Sequence, residues 1–250
     1  HLKAVVKMAD IAEAIGEKED AAAYRKRYAE GVPRFNQALW MPKRGAYRDG
    51  IGTNHTAAHA TFFPMAFGLL PEENHEDAIK FLAGKGMACS VYAAQYFMEA
   101  LFENGGSKIA LALMTADGDR SWKHMVNSGT TITWEAWDQK YKPNQDWNHA
   151  WGAAPGNLLP RYILGVEPVE PGFKRFRIAP RSSGLTYAKG KVPTPLGPIE
   201  VNWKIHGNML KLQCTVPEGS RALVEFPEFG HFPARELGPG THRVEVKLEQ

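Results

Sequence analysis

The 250-residue chain is 44% hydrophobic and 23% charged, a composition that excludes a disordered tail or a fibre and allows one large domain or two smaller ones. Its 30 basic and 27 acidic residues, formal charge +3, are spread along the chain. The one short cluster, Tyr24-Arg25-Lys26-Arg27-Tyr28, reads as a solvated helix face, so no nucleic-acid partner is expected. No run nears the roughly 18 apolar residues of a membrane span and no signal-peptide pattern opens the chain, so no membrane partner is expected either. Two cysteines, Cys89 and Cys214, supply neither a disulfide framework nor a metal set, and leave the redox compartment open.

Leu2, Val5, Val6 and Ala9 recur at helical spacing from the first turn and predict a helix from Leu2 to Ile15. The chain thus starts inside a helix and without Met, which suggests a piece of a longer polypeptide. A second helix is expected from about Glu17 to Trp40, bent or restarted at Pro33. "MPKRGAYRDGIGTNH" reads as a small two-stranded excursion or loop. A second pair follows, His55 to Leu69 and Glu72 to Ala83, split at Leu70-Pro71, then a third, "CSVYAAQYFMEALFENG" and "SKIALALMTA", split at Gly105-Gly106. A short helix near Asp119 to Asn127 and a final one from about Trp147 to Leu164 complete a region of antiparallel helix hairpins. Beyond Val166 the period changes to alternation, in "FKRFRI", "IEVNWKI", "MLKLQCTV", "ALVEF" and "HRVEVKL". Short antiparallel strands between turn residues predict a β-sandwich. The expected division is residues 1–166, helical, and 167–250, β.

Chemistry concentrates in "SGTTITWEAWDQ", where Glu135 lies between Trp134 and Trp137 with Asp138 just after. A carboxylate beside indoles is disfavoured as the anion, so the setting predicts a raised pKa, suited to proton transfer. Indole faces suit the C–H faces of a sugar ring, and carboxylate and imidazole suit its hydroxyls. The same spacing equally fits core tryptophans with surface acids. Downstream, "NQDWNHAWG" adds Asp146, Trp147, His149 and Trp151; a cap at Asn148 or Asp146 would place His149 in the first turn of the last helix, as a neutral hydrogen-bond partner. His55 and His59 fall one helical turn apart, but without a third ligand they read as pocket lining, or as neighbours of a cap at Asn54 or Thr53, rather than as a metal pair. Tyr92, Gln95, Tyr96 and Glu99 share a helix face that either lines a pocket or packs the next helix. Dinucleotide, phosphate-loop and nucleophile-elbow motifs are absent, so no cofactor is expected.

"GTTITWEAWD", "NHAWGAAPGNLLPRYILGVEPVEPGFKRFRIAPR" and "GLTYAKGKVPTPLGPIEVNWK" together resemble the C-terminal part of the bacterial α-L-rhamnosidases, six-hairpin (α/α)6-barrel glycoside hydrolases with a β-sandwich after the barrel. "YRDGIGTNHTAAHATFFPMAFGLLP" resembles a helix pair of the same family. The resemblance implies inverting hydrolysis of a rhamnosyl glycoside or polysaccharide, with Glu135 as general base, His149 touching the sugar, and Trp134 and Trp137 as walls or supports. Trp151, Tyr92, His55 and His59 join the expected sugar-binding set, with no metal. The family's general-acid motif does not occur in the chain. Roughly seven helices can be read where six hairpins need twelve, so the fold expected is the second half of the toroid plus its sandwich. Such a half is expected to pair with the rest of its polypeptide or with itself, and to be inactive alone. A bacterial source is implied, extracytoplasmic or cytoplasmic. The alternatives are a non-catalytic carbohydrate-binding piece, in which the aromatic cleft and the sandwich bind glycan without turnover, and a six-hairpin hydrolase for another sugar; the role expected of the sandwich itself is a structural buttress for the barrel, its strands offering no aromatic platform beyond Trp203.

Overall fold

The computed structural model describes residues 1–230 and 232–248. Helix α1 (Leu2–Ala14) buries Val5, Ala9 and Ala12, one stripe at helical spacing, against α2 (Lys18–Leu39). α2 continues through Pro33 as one helix rather than restarting there; the proline costs a single rung of the ladder. The expected two-stranded excursion is present as β1 (Trp40–Met41) and β2 (Ala46–Tyr47), paired antiparallel.

Helices α3 (Ala58–Ala66), α4 (His75–Lys85), α5 (Ala94–Glu103), α6 (Ser107–Met114) and α7 (Trp122–Asn127) follow. α5 is the most buried of them, with Ala94, Phe97, Met98, Ala100, Leu101 and Phe102 all inside. Phe97 stacks on Phe62 of α3 at 5.1 Å, and Phe102 on Tyr162 at 4.6 Å, so α5 is the spine of the helical region. α3 begins three residues later than expected. Neither Asn54 nor Thr53 caps it: Asp49 Oδ1 accepts the Ala57 N–H at 2.7 Å, and His55 stays in the loop before the helix.

The single helix expected from Trp147 to Leu164 is instead three pieces: a 3-10 turn at Ala150–Gly152, α8 (Pro155–Leu158) and a π turn at Leu159–Ile163. The prolines explain the break. Pro155 has no N–H and fits only the first turn of a helix, and Pro160 lacks one more N–H and crowds the carbonyl four residues back; from there the ladder widens to a π turn, in which the Leu164 N–H donates to Leu159 O at 3.0 Å.

Eight more strands follow: β3 (Val166–Pro168), β4 (Arg175–Ile178), β5 (Tyr187–Val192), β6 (Ile199–His206), β7 (Met209–Val216), β8 (Arg221–Val224), β9 (Arg235–Leu237) and β10 (Gly240–Lys247). One sheet has the order β10-β7-β6-β5, antiparallel throughout; the other is β3-β4-β8-β9. The expectation of purely antiparallel pairing fails at one point, because β4 and β8 run parallel, with Phe176 opposite Ala222 and Ile178 opposite Val224. Alternate residues point inward, among them Val201 and Trp203 on β6 and Leu210, Leu212 and Cys214 on β7. They join the helical core in one continuous apolar cluster.

Trp203 is no platform. It is fully buried, and its indole N–H donates to Ile163 O at 2.8 Å, fastening β6 to the end of the helical region.

Candidate active site

The Glu135 segment is held by a short antiparallel exchange with the segment ending at His149. The His149 N–H donates to Thr133 O at 2.8 Å, Thr133 Oγ1 to His149 O at 3.0 Å, and the Glu135 N–H to Asp146 O at 3.0 Å. Gly152 lets the two segments close: a Cβ there would lie 2.6 Å from Trp134 O and 2.8 Å from Thr133 Cβ. The Gly152 carbonyl accepts the Trp122 indole N–H at 2.6 Å, which ties the arrangement to α7.

Trp134 and Trp137 are both buried, on opposite duties. Trp134 packs edge-on against Trp147 and His124 and donates to Thr130 Oγ1, behind the segment and away from the cleft. Trp137 packs edge-on against Trp122 and faces a cavity of about 640 Å³ that Glu135 also lines.

That cavity brings together five of the expected residues: Glu135, Trp137, Trp151, Tyr92 and His59. Tyr92 and Trp151 are each about half exposed, with ring centres 5.4 Å apart, and form an aromatic wall. His149 is not on the lining but beside it: its ring lies 4.7 Å from that of Trp151, and its Nδ1 accepts the Trp151 N–H at 3.2 Å. It is therefore the cap of the 3-10 turn, not a first-turn residue of a long helix. His55 is elsewhere, on the surface, with Nδ1 2.5 Å from Asp49 Oδ2. Because α3 starts after it, His55 and His59 do not share a helix face, and no cluster of metal-ligating side chains occurs among the described residues.

The expected rise in the Glu135 pKa is not found; the carboxyl is held below its ordinary value. The chief cause is the hydrogen bond and ion pair from Lys142 Nζ to Oε1, followed by the Asp146 N–H on Oε2 at 3.1 Å, and these outweigh desolvation. Neighbouring indoles along the chain point to the core, while the carboxylate points to a cation and an amide. Asp138, the second acid of the motif, receives the Lys140 N–H at 3.0 Å and lies 2.7 Å from His124 Nε2. These contacts hold its pKa low and commit it to tying the loop to α7.

Three cleft residues escaped the reading of the sequence: Arg120, Tyr141 and Lys142. Arg120 lies over the Tyr141 ring at 4.3 Å, and Tyr141 donates to Asp119 Oδ1 at 3.0 Å. For Tyr141 and Lys142 the available signal was "QKYKPNQD", a cationic and aromatic run directly after the motif; Arg120, before α7, carried none. Glu135 is the only carboxylic acid among the described residues lining the cleft. A larger cavity, about 820 Å³, lies at the seam with the sheets, but its charged groups are taken up in ion pairs: Glu167 with Arg161 and Arg177, Glu225 with Arg177, and Lys191 with Glu200. The smaller cleft, with a carboxylate beside open aromatic faces, has the better chemistry for a sugar.

Residues 1–163 match the family model of the bacterial alpha-L-rhamnosidase 6 hairpin glycosidase domain, and residues 165–231 that of the bacterial alpha-L-rhamnosidase C-terminal domain. An alpha-L-rhamnosidase of Formosa agariphila is 30% identical over 234 residues, covering 88% of this chain and 24% of that protein. One from an Alteromonas species is 29% identical over 172 residues, 63% of this chain and 19% of the relative. Among solved structures, the Aspergillus terreus α-L-rhamnosidase superposes on 98% of this chain and 29% of its own, with TM-score 0.83 and 23% identity. The Streptomyces avermitilis enzyme complexed with L-rhamnose gives 0.77 and 21%, over 98% of this chain and 26% of its own. The chain thus spans about a quarter of the length of these relatives. With most of its length matched by the six-hairpin model and the remainder largely by the C-terminal one, the chain belongs to the bacterial α-L-rhamnosidase family of glycoside hydrolases.

Proposed function

We propose that the polypeptide carrying this chain hydrolyses terminal α-L-rhamnosyl linkages with inversion, and that Glu135 is its general base. The observation that carries this is the state of Glu135: a carboxylate on the wall of an aromatic cleft, kept ionised by Lys142 and the Asp146 amide. A general acid must hold its proton at working pH, whereas a general base must have lost it, so this environment suits the base. Each Glu135 oxygen accepts one protein hydrogen bond and keeps capacity for another, which a water can fill.

In the proposed step Glu135 takes a proton from that water, whose oxygen bonds to the anomeric carbon on the face opposite the leaving group. The glycosidic C–O bond breaks, and a carboxylic acid protonates the departing oxygen. The second carboxyl must stand about 6.5–9.5 Å from the first to admit the water. No other acid lines the cleft among the described residues, so we place the general acid outside this chain. Trp137, Trp151 and Tyr92 would face the sugar, His59 would offer a polar contact, and His149 would fix Trp151. In this reading residues 1–166 are the second half of the barrel and 167–250 the buttressing β domain. The exposed stripe of Met8 and Ile11 on α1, continued by Ile15 at its C-cap, is a face for neighbouring helices of the same barrel or for a second copy.

The test is release of p-nitrophenol from its α-L-rhamnoside by the intact gene product, the 250-residue chain and the intact Glu135→Gln variant. Cleavage by the intact protein alone supports both the base and the external acid. Unchanged turnover in Glu135→Gln would sink the assignment, and rhamnose binding without any cleavage would favour a carbohydrate-binding role.

A further inference from the structure

Lys142 belongs to no expected part of the site, yet it pairs directly with the carboxylate on which the proposed chemistry depends. It sits in the loop after α7, seven residues beyond Glu135, and its Nζ pairs with Glu135 Oε1. The pair is asymmetric in exposure: the Glu135 side chain is 12% exposed and that of Lys142 40%. The lysine therefore approaches from the solvent side and covers a carboxylate that is otherwise largely enclosed. The opposite oxygen is fixed by the backbone, through the Asp146 N–H at 3.1 Å, and the Ala136 N–H next to it is taken by Gln145 Oε1 at 3.2 Å. One oxygen is thus anchored by the main chain and the other by a single side chain.

From this geometry we infer that Lys142 is a positioning residue for Glu135: its ammonium clamps the carboxylate rotamer and its charge, so that the remaining acceptor capacity is offered to water in the cleft. The inference rests on the reading of Glu135 as general base. The clamp is electrostatic and directional, and without it a carboxylate at the end of a flexible side chain is held on one oxygen only. The low pKa of Glu135 is consistent with it, Lys142 being the first cause.

Other groups facing Glu135 do not substitute for it. His149, beside the cleft, acts on the carboxylate only through space. Arg120 lies against Tyr141, whose hydroxyl donates to Asp119. Tyr92 and His59 lie against Trp151 and Phe62. The Cys89 thiol, pushed up to about 12 by burial, stays neutral. Among the described residues, Lys142 is the only side chain hydrogen-bonded to Glu135.

The deciding experiment is the pH dependence of kcat and kcat/KM for rhamnoside hydrolysis by the intact polypeptide and its Lys142→Met, Lys142→Gln, Lys142→Arg and Glu135→Gln variants. Expected are an acid limb displaced to higher pH in Lys142→Met and Lys142→Gln, a fall in kcat with KM within about twofold, and a limb restored by Lys142→Arg. Two neutral replacements guard against one of them folding poorly, and the half-exposed stem leaves no core void in either. Superimposable acid limbs in wild type and both neutral variants, with Glu135→Gln inactive, would overturn the clamp and leave the base assignment standing. Full activity in Glu135→Gln would overturn both.

Discussion

The indole N–H of Trp137 donates to the carbonyl of Cys89 at 2.7 Å, bridging 48 residues of sequence and both walls of the cleft. Trp137 is two residues from Glu135, and Cys89 opens the segment that presents Tyr92. One hydrogen bond therefore ties the segment of Glu135 to the segment that carries Tyr92. In Trp137→Phe the buried Cys89 carbonyl loses its partner and the core loses part of a ring, at a cost of about 2–3 kcal/mol. Denaturant unfolding should show this loss. In the intact polypeptide kcat should fall as well, because the cleft walls lose their register.

Trp151 offers a cleaner separation of binding from folding. It is 53% exposed, and its contacts are Tyr92 and the ring of His149 rather than the core. Trp151→Ala should leave thermal stability within about 0.5 kcal/mol of wild type, as exposed substitutions generally do. KM for the rhamnoside should rise by about tenfold, the loss of one aromatic–sugar face being worth about 1–1.5 kcal/mol. Isothermal titration with L-rhamnose provides the same comparison without turnover.

How much of this was legible depends on the range of the interaction concerned. Period alone located the helices and five of the strands, because alternation in "IEVNWKI" or "MLKLQCTV" is a local consequence of which face is buried. It missed β5, whose inward positions Ala188 and Gly190 are too small to mark an apolar face although the alternation itself is intact, and the three-residue β3 and β9. The break in the last helical segment was written in Pro155 and Pro160, and a stricter use of proline would have found it. The aromatic cleft could be guessed from composition around Glu135, but the sign of its pKa shift could not. That sign depends on which way a side chain points, and the groups that decide it, Lys142 and the Asp146 amide, arrive through a loop of seven to eleven residues that carries no period. Trp203 could have been read correctly: it shares the apolar face of Ile199 and Val201, so alternation alone already turned it inward, and the bond to Ile163 O shows what it fastens.

The joint between the helical region and the sheets turns on Gly165. Its φ is +79°, and a Cβ would fall 2.2 Å from the Ala179 carbonyl carbon and 2.3 Å from Pro180 N, both backbone atoms that cannot yield. Gly165→Ala should therefore cost more than about 3 kcal/mol and is expected to reduce soluble yield. Gly156, in α8, is the matched control. Nothing lies within 4 Å of its added Cβ and its φ is not left-handed, so Gly156→Ala should be neutral or stabilising by up to about 1 kcal/mol. Paired thermal melts of the two variants test the joint directly.

The same joint carries the main charge network, and its pH dependence has a definite sign. Arg161, in the π turn, bonds Glu99 and Glu103 of α5 and Glu167 of β3, and Glu167 also accepts from Arg177 of β4. Burial pushes the Glu167 carboxyl up, but the hydrogen bonds from Arg161 and Arg177 and their charges more than offset it, leaving its pKa below the ordinary value. A carboxyl with a depressed folded-state pKa stabilises the fold above its unfolded pKa, roughly 4.3, and loses that contribution as pH falls through the folded value. Glu167→Gln should accordingly destabilise the chain most at neutral pH. The guanidiniums are about one-third exposed and Arg161 keeps two other carboxylates, so the loss should be about 1–3 kcal/mol after screening. Urea unfolding of wild type and variant should diverge at pH 7 and converge in acid, where wild-type Glu167 is itself protonated. A gap that stayed constant from pH 7 into the acid range would instead assign the effect to packing of the side chain, with no part played by its charge.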